Sequence, residues 1–280
     1  MKLFFKQSMF ILMSLFFVSL SESTYAKKED NIRVLLIGDS TTKGSAPNKV
    51  HPERAQLPEM ITILTNAKLK TKRIETFRRC HGGETAESIF SLGRYKKEMT
   101  PYLDKGLDYI FIRYGINDWY QCKDIDKEFP ANLTKLTKRL QKDFPNAQLI
   151  LCTITPFLID GESERMNAHI MHVAYQCGNL PVLDIYTPFR KEMQNHGNNA
   201  YWIRMANLED IPAVYHEWIK PYTFTDTYKG KTHSTVIVDD NSLDPFFSYL
   251  PGWVNHHPNS AGYGIIANCI VNYLLTQLKE

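Results

Sequence analysis

The chain of 280 residues sets 33 Lys and Arg against 30 Asp and Glu, a formal net charge of +3 with the two signs interspersed. No basic stripe points to nucleic acid and no block of like charge marks a disordered tail. Its five cysteines, Cys80, Cys122, Cys152, Cys177 and Cys269, lack the close pairing of a zinc site or a dithiol redox motif.

Residues 1–26 carry Lys2 and Lys6, an apolar stretch from Met9 to Leu20, and then Thr24-Tyr25-Ala26 with small residues at a cleavage position. This is the layout of a secretory signal peptide cut near Ala26, and the apolar core is too short for a comfortable membrane span. An uncleaved N-terminal anchor is the alternative. The expectation is a secreted or periplasmic protein without stable membrane insertion, whose mature domain covers 27–280.

The run 32–37 reads as a buried strand that ends abruptly in Gly38-Asp39-Ser40, a turn from which the Ser40 hydroxyl projects. A helix is expected over 52–68, and a strand over 73–77. Gly82-Gly83-Glu84-Thr85 then opens a helix over 85–99, and a strand over 108–113 runs into Gly115-Ile116-Asn117-Asp118. Helices over 130–144 and 163–177 alternate with strands over 148–154 and 180–184. The last helix, 260–278, follows His257-Pro258-Asn259-Ser260 and shows Ile266, Ile270 and Leu274 at helical spacing. Such alternation predicts an α/β fold with a mostly parallel sheet covered by helices on both faces.

Residues 190–256 break the pattern. They are irregular, rich in Asn, Asp and Pro, and crowded with aromatics such as Tyr201, Trp202, Tyr215, Trp218, Phe246, Phe247 and Trp253. A loop this long inside a compact domain is more often a functional cover than a connection, so the segment is expected to fold over the site. Its aromatics either stack on sugar rings or form the core of the insertion itself.

Ligands of such sheets sit beyond the carboxyl ends of the strands, where all four motifs fall. Singly each is an ordinary turn or cap. Together, Gly38-Asp39-Ser40-Thr41, Gly83-Glu84-Thr85, Gly115-x-Asn117-Asp118 and His257-Pro258-Asn259 resemble the blocks of the SGNH (GDSL-like) hydrolase superfamily, which contribute a serine, a glycine, an asparagine and a histidine in that order. The resemblance implies a three-layer α/β/α sandwich with a flavodoxin-like five-stranded sheet and an aromatic-rich insertion before the last helix. It also implies a serine esterase: Ser40 attacks an ester carbonyl, His257 moves its proton, and the backbone N–H groups of Ser40 and Gly83 with the Asn117 amide hold the oxyanion.

Asp39 and Asp118 are read as turn-fixing residues that bond to backbone. His256 adjoins His257, but neighbouring side chains diverge, so one of the two faces Ser40. His51 and His81 are read as surface or structural. The superfamily places an aspartate three residues before its histidine, where this chain has Val254. A backbone carbonyl near Val254 is the favoured substitute; a carboxylate from Asp244, Asp240 or Asp239 is the next, and impaired activity the third.

Cys80 and Cys122 flank the motifs, and a disulfide between them is a candidate brace in an oxidising compartment. Lys43, Arg54, Arg78, Arg79 and Arg113 also lie near the motifs. Arg113, at the end of an apolar strand, has either to pair with a carboxylate of the insertion or to face substrate.

A secreted esterase with an aromatic cover suggests a small-molecule or polysaccharide ester substrate, an O-acetylated saccharide first. Alternatives are a lipase or thioesterase of the same superfamily, acyl transfer to a second sugar, and a catalytically impaired carbohydrate-binding protein. No metal or organic cofactor is implied: metal-ligand spacing is absent, and Gly38-Asp39-Ser40-Thr41-Thr42-Lys43-Gly44 lacks the order of a phosphate loop or dinucleotide fingerprint.

Overall fold

The computed structural model describes residues 31–156, 161–228 and 231–279. The expected signal peptide, residues 1–26, lies outside them. Among the described residues no helix is long and apolar enough to cross a membrane.

In chain order, β1 (Asn31–Gly38) leads into a one-turn helix α1 (Ser40–Lys43), and α2 (Leu57–Asn66) returns to β2 (Arg73–Cys80). Then come α3 (Arg94–Leu103), β3 (Tyr109–Arg113), α4 (Ile116–Gln121), α5 (Ile125–Asp143), β4 (Gln148–Cys152), α6 (Glu162–Gln176), β5 (Val182–Leu183) and α7 (Tyr186–His196). The strands β1 to β5 form one all-parallel sheet in the order β2-β1-β3-β4-β5, so β1 and the turn after it lie inside the sheet.

Side chains alternate across this sheet as a strand requires. Leu35, Ile37, Ile110, Ile112, Leu149 and Leu151 pack on one face against Met99 of α3, Leu133 and Leu136 of α5, and Met166 and Ile170 of α6. Val34, Leu36, Phe111 and Ile150 face the other way, against Ile61 of α2, Phe189 of α7, and Ile266 and Ile270 of the last helix. The expected three-layer sandwich is what the chain adopts.

Three boundaries differ from expectation for local reasons. The helix expected from residue 52 begins at Leu57, where Gln56 and Glu59 form a capping box and Pro58 occupies the first turn. The helix expected over 85–99 is interrupted at Gly93, whose φ of 66° separates a single turn, Ser88–Ser91, from α3. The helix expected over 130–144 begins earlier, at Ile125, so that α5 carries Pro130 within its second turn.

The region 190–256 differs most. It is an antiparallel sheet of β6 (Trp202–Asn207), β7 (Thr223–Tyr228), β8 (Lys231–Val238) and β9 (Val254–Pro258), ordered β7-β8-β6-β9, followed by α8 (Ser260–Gln277). The β-branched run Thr235-Val236-Ile237-Val238 and the β-formers Thr223-Phe224-Thr225 carried this signal, masked by the Asn, Asp and Pro of the intervening turns. Trp253, Phe247, Val236 and Val238 are buried together as a core of this second sheet.

Candidate active site

Gly38 closes β1, and a Cβ there would meet the Arg113 carbonyl oxygen at 2.5 Å and Thr42 Oγ1 at 2.6 Å, so only glycine lets the chain turn so close to β3. Asp39 caps α1: its Oδ1 accepts the Thr41 N–H at 2.8 Å and the Thr41 hydroxyl at 2.6 Å. This is the turn-fixing role expected of it. Ser40 then occupies the first helical position, where its own N–H finds no acceptor among the described residues.

Opposite Ser40, β9 pairs with β6 out of step. Trp202 lies across from Pro258 and Arg204 from Val254, so the three residues Asn255, His256 and His257 oppose Ile203 alone. Such a bulge re-aims side chains that a regular strand would send to opposite faces. His257 Nε2 thereby comes to 2.8 Å from Ser40 Oγ. His256 does not diverge as expected: its ring stacks on that of His257 at 4.8 Å, tilted 26°. Burial, with His256 alongside, brings the His257 imidazole down to about 4, so it is neutral at physiological pH. The Asn259 side chain then holds the start of α8, accepting the Gly262 N–H and donating to the Ala200 carbonyl, both at 2.9 Å.

Gly83 has φ of 73°, a conformation that favours glycine, and no described group accepts its N–H. Two amides of α4 hold the loop: Asn117 Nδ2 donates to the Glu84 carbonyl at 3.1 Å and Gln121 Nε2 to the Gly83 carbonyl at 2.9 Å. Beneath it the buried Glu84 carboxylate accepts from Arg94 at 2.9 Å and from the Tyr114 hydroxyl at 2.8 Å. Nothing in the local pattern singled out Glu84, Arg94 and Tyr114, because their meeting depends on three separate elements.

Asp118 Oδ1 accepts the Ala86 N–H at 3.0 Å, again a structural role, while its buried Oδ2 has no hydrogen-bond partner among the described residues. Burial pushes this carboxyl up to about 7 from an ordinary 3.8. The folded state therefore keeps a proton that the unfolded chain releases near pH 4, and stability contributed by Asp118 falls as pH rises from about 4 to 7. Asp118→Asn should flatten the dependence of Tm on pH across that window; a slope equal to wild type would place the titration elsewhere.

Several expectations are corrected. All five cysteines are free, with Cys80 buried and its thiol directed at the Leu36 carbonyl, so Cys80 and Cys122 form no disulfide. None of the carboxylates proposed for His257 reaches it. Asp244 is held by Arg204 and the Trp253 indole, Asp240 accepts the Ser242 N–H, and Asp239 accepts the Ser260 N–H and lies beside His51 and Arg54. The acceptor is the Asn255 side chain, with Oδ1 at 2.5 Å from His257 Nδ1, rather than a backbone carbonyl. Arg113 neither meets a carboxylate of the insertion nor faces the site. It is buried beneath the turn, donating from Nη1 to the Thr41 carbonyl and hydroxyl, both at 2.9 Å.

The described residues contain no group of three or more His, Cys, Asp or Glu side chains that could hold a metal ion. Residues 36–265 match the model of the GDSL-like Lipase/Acylhydrolase family. No curated protein matches the chain. Among solved structures, Axe2, an acetylxylan esterase from Geobacillus stearothermophilus, is 16% identical, aligns over 91% of this chain and 97% of its own, and superposes with a TM-score of 0.54. LAE5, an alpha/beta hydrolase enzyme from the metagenome of Lake Arreo, Spain, is 16% identical over 87% of this chain and 95% of its own, with a TM-score of 0.53. At that identity the structures establish a shared fold, while the family model spans most of the sequence. The chain therefore belongs to the GDSL-like lipase/acylhydrolase family and is a carboxylic ester hydrolase.

Proposed function

We propose that the protein is a secreted serine esterase that removes O-acetyl groups from a carbohydrate through an acyl-serine intermediate. The observation that carries this reading is the 2.8 Å contact between Ser40 Oγ and the neutral His257 Nε2. A neutral imidazole with its lone pair on the hydroxyl is the arrangement a general base needs.

Ser40 Oγ attacks the ester carbonyl while His257 Nε2 takes its proton. The tetrahedral oxyanion is received by the N–H groups of Ser40 and Gly83 and by the Asn117 amide, which donates one of its two N–H bonds to Glu84 and has the second to offer. Each such donor contributes about 3 kcal/mol to the transition state. His257 then returns the proton to the leaving alcohol, and the same base activates water to release the acyl group.

The sugar preference is supported by the ring stack beside the nucleophile. Tyr120 is 56% exposed, and its centroid lies 5.6 Å from that of His256. An exposed aromatic face next to the proton relay is suited to the apolar face of a pyranose in the leaving group. The acetyl preference is supported by the shared fold with an acetylxylan esterase, and export by the pattern of residues 1–26.

Acetate release from a panel of acetylated polysaccharides, run beside p-nitrophenyl acetate and octanoate, tests the reading. The expected result is acetate from at least one polysaccharide and a preference of about tenfold or more for acetyl over octanoyl, because a tenfold ratio needs only about 1.4 kcal/mol of differential binding. Preference for octanoyl would make the protein a lipase or thioesterase instead. Tight polysaccharide binding without release from any ester would make it a binding protein.

A further inference from the structure

We propose that Asn255 is the positioning residue of the catalytic pair, an uncharged amide that stands where an acid would complete the triad. The inference rests on the esterase reading, since it assigns a role within that same site.

Asn255 Oδ1 lies 3.2 Å from the His257 backbone nitrogen and 2.5 Å from its Nδ1. A backbone N–H can only donate, so the Asn255 atom that receives it is the carbonyl oxygen and not the amide nitrogen. That oxygen can only accept, so Nδ1 carries the proton. Nε2 is left with its lone pair directed at Ser40 Oγ, 2.8 Å away. One side chain thus selects the tautomer and ties the ring to its own backbone.

The bulge makes this reach feasible. In a regular strand Asn255 and His257 would share a face but stand too far apart along an extended backbone for a two-residue contact to close tightly. With Asn255, His256 and His257 packed opposite Ile203, the chain is compressed and the amide meets the ring.

The substitute differs from an acid in charge. His256, stacked on His257, is the titratable group that faces the ring, and no described carboxylate lies within ion-pair distance of it. Tyr120 stands beyond His256 and faces it, not His257. Nothing negative therefore stabilises the imidazolium that forms as Ser40 gives up its proton, which agrees with a depressed affinity of His257 for protons. The base stays unprotonated into acid solution, and the cost is a weaker pull on the serine proton.

Two variants and one spectrum test this. Asn255→Ala is expected to lower kcat about 100-fold or more with KM within about threefold, because a base in the wrong tautomer costs orders of magnitude in turnover. Asn255→Asp is expected to restore kcat to at least the wild-type level and to move the acid limb of kcat/KM upward by about one pH unit or more, the direction a neighbouring carboxylate imposes on an imidazole. Nitrogen-15 spectra of His257 read the tautomer without reference to turnover: wild type should show one neutral form protonated at Nδ1, and Asn255→Ala a mixture. Thermal melts identify a variant that has simply unfolded, in which case the wild-type spectrum and the Asn255→Asp profile decide. Wild-type kcat and tautomer in Asn255→Ala, an unmoved acid limb in Asn255→Asp, or a wild-type His257 protonated at Nε2 would each overturn the assignment. Failure of wild type to hydrolyse any ester, or to be labelled at Ser40 by a fluorophosphonate, overturns the esterase reading instead, and the spectrum still judges Asn255.

Discussion

Ser40→Ala is expected to lower kcat/KM on p-nitrophenyl acetate by about 10⁴-fold or more, and to abolish labelling by a fluorophosphonate. The size follows from what is removed. Without Oγ no acyl-enzyme forms, and His257, the amides of Ser40 and Gly83 and the Asn117 side chain can at most assist direct attack by water. The fold should survive, because the Ser40 hydroxyl bonds to His257 and the turn itself is held by Asp39 and Arg113. A melt within about 2 °C of wild type is expected, because the substitution removes one hydroxyl and leaves the packing around it in place. If the variant kept even a tenth of wild-type turnover, a different nucleophile would have to be sought.

Arg113→Met should destabilise the protein by about 3 kcal/mol, the scale of leaving several buried polar groups without their partner, and lower Tm by roughly 8 °C for a domain of this size. Arg113 and Asp39 are 3% and 1% exposed. Burial raises the proton affinity of Asp39, and the Arg113 guanidinium is the main influence opposing it. Removing the cation strands that carboxylate and releases the Thr41 carbonyl and hydroxyl that Arg113 grips. Thr41 neighbours the nucleophile, so kcat should fall along with Tm even at temperatures where the variant is folded. Arg113→Lys should recover little of either loss, because an ammonium on a flexible stem lacks the planar fork that spans Thr41 and, at 3.4 Å, Thr155. A wild-type melt for Arg113→Met would show that the turn stands without the buried cation.

What the amino-acid sequence made legible is what depends on short-range pattern. Apolar runs such as Val34 to Ile37 declared the parallel strands, and Gly38-Asp39-Ser40, Gly83 and Asn117 fell at strand ends where the sheet brings them together. Asp39 and Asp118 were legible as turn residues because small acids beside a turn bond to nearby backbone. The misreadings share one physical cause, that the deciding partner is remote or conformational. Arg113 was expected either to pair with a carboxylate of the insertion or to face substrate, but its Nη1 is taken up by the carbonyl and hydroxyl of Thr41 beneath the nucleophile, 72 positions away. Asn255 was overlooked because the triad acid was sought at position 254, and no local pattern announces a bulge whose pairing with β6 begins some fifty residues earlier. The second sheet was missed because two of its strands, β6 and β7, mix polar residues with apolar ones and the connections are rich in Asn and Asp, which locally reads as coil.

The nucleophile and its base are carried by different sheets. Ser40 follows a strand of the parallel sheet, whereas His257 rides on an antiparallel sheet with an aromatic core of its own, and 217 residues separate the two. Their hydrogen bond is therefore a seam. Turnover depends on how the two sheets are docked as well as on how well each is folded, and the clasp is Ala46, Ile203 and Ile237, buried where the segment after the nucleophile meets the second sheet, together with Trp202 of β6, buried in the core of the parallel sheet. A change that loosened this clasp by an ångström would silence the enzyme while leaving both sheets whole, so the seam is where selection can adjust activity without touching any residue of the chemistry.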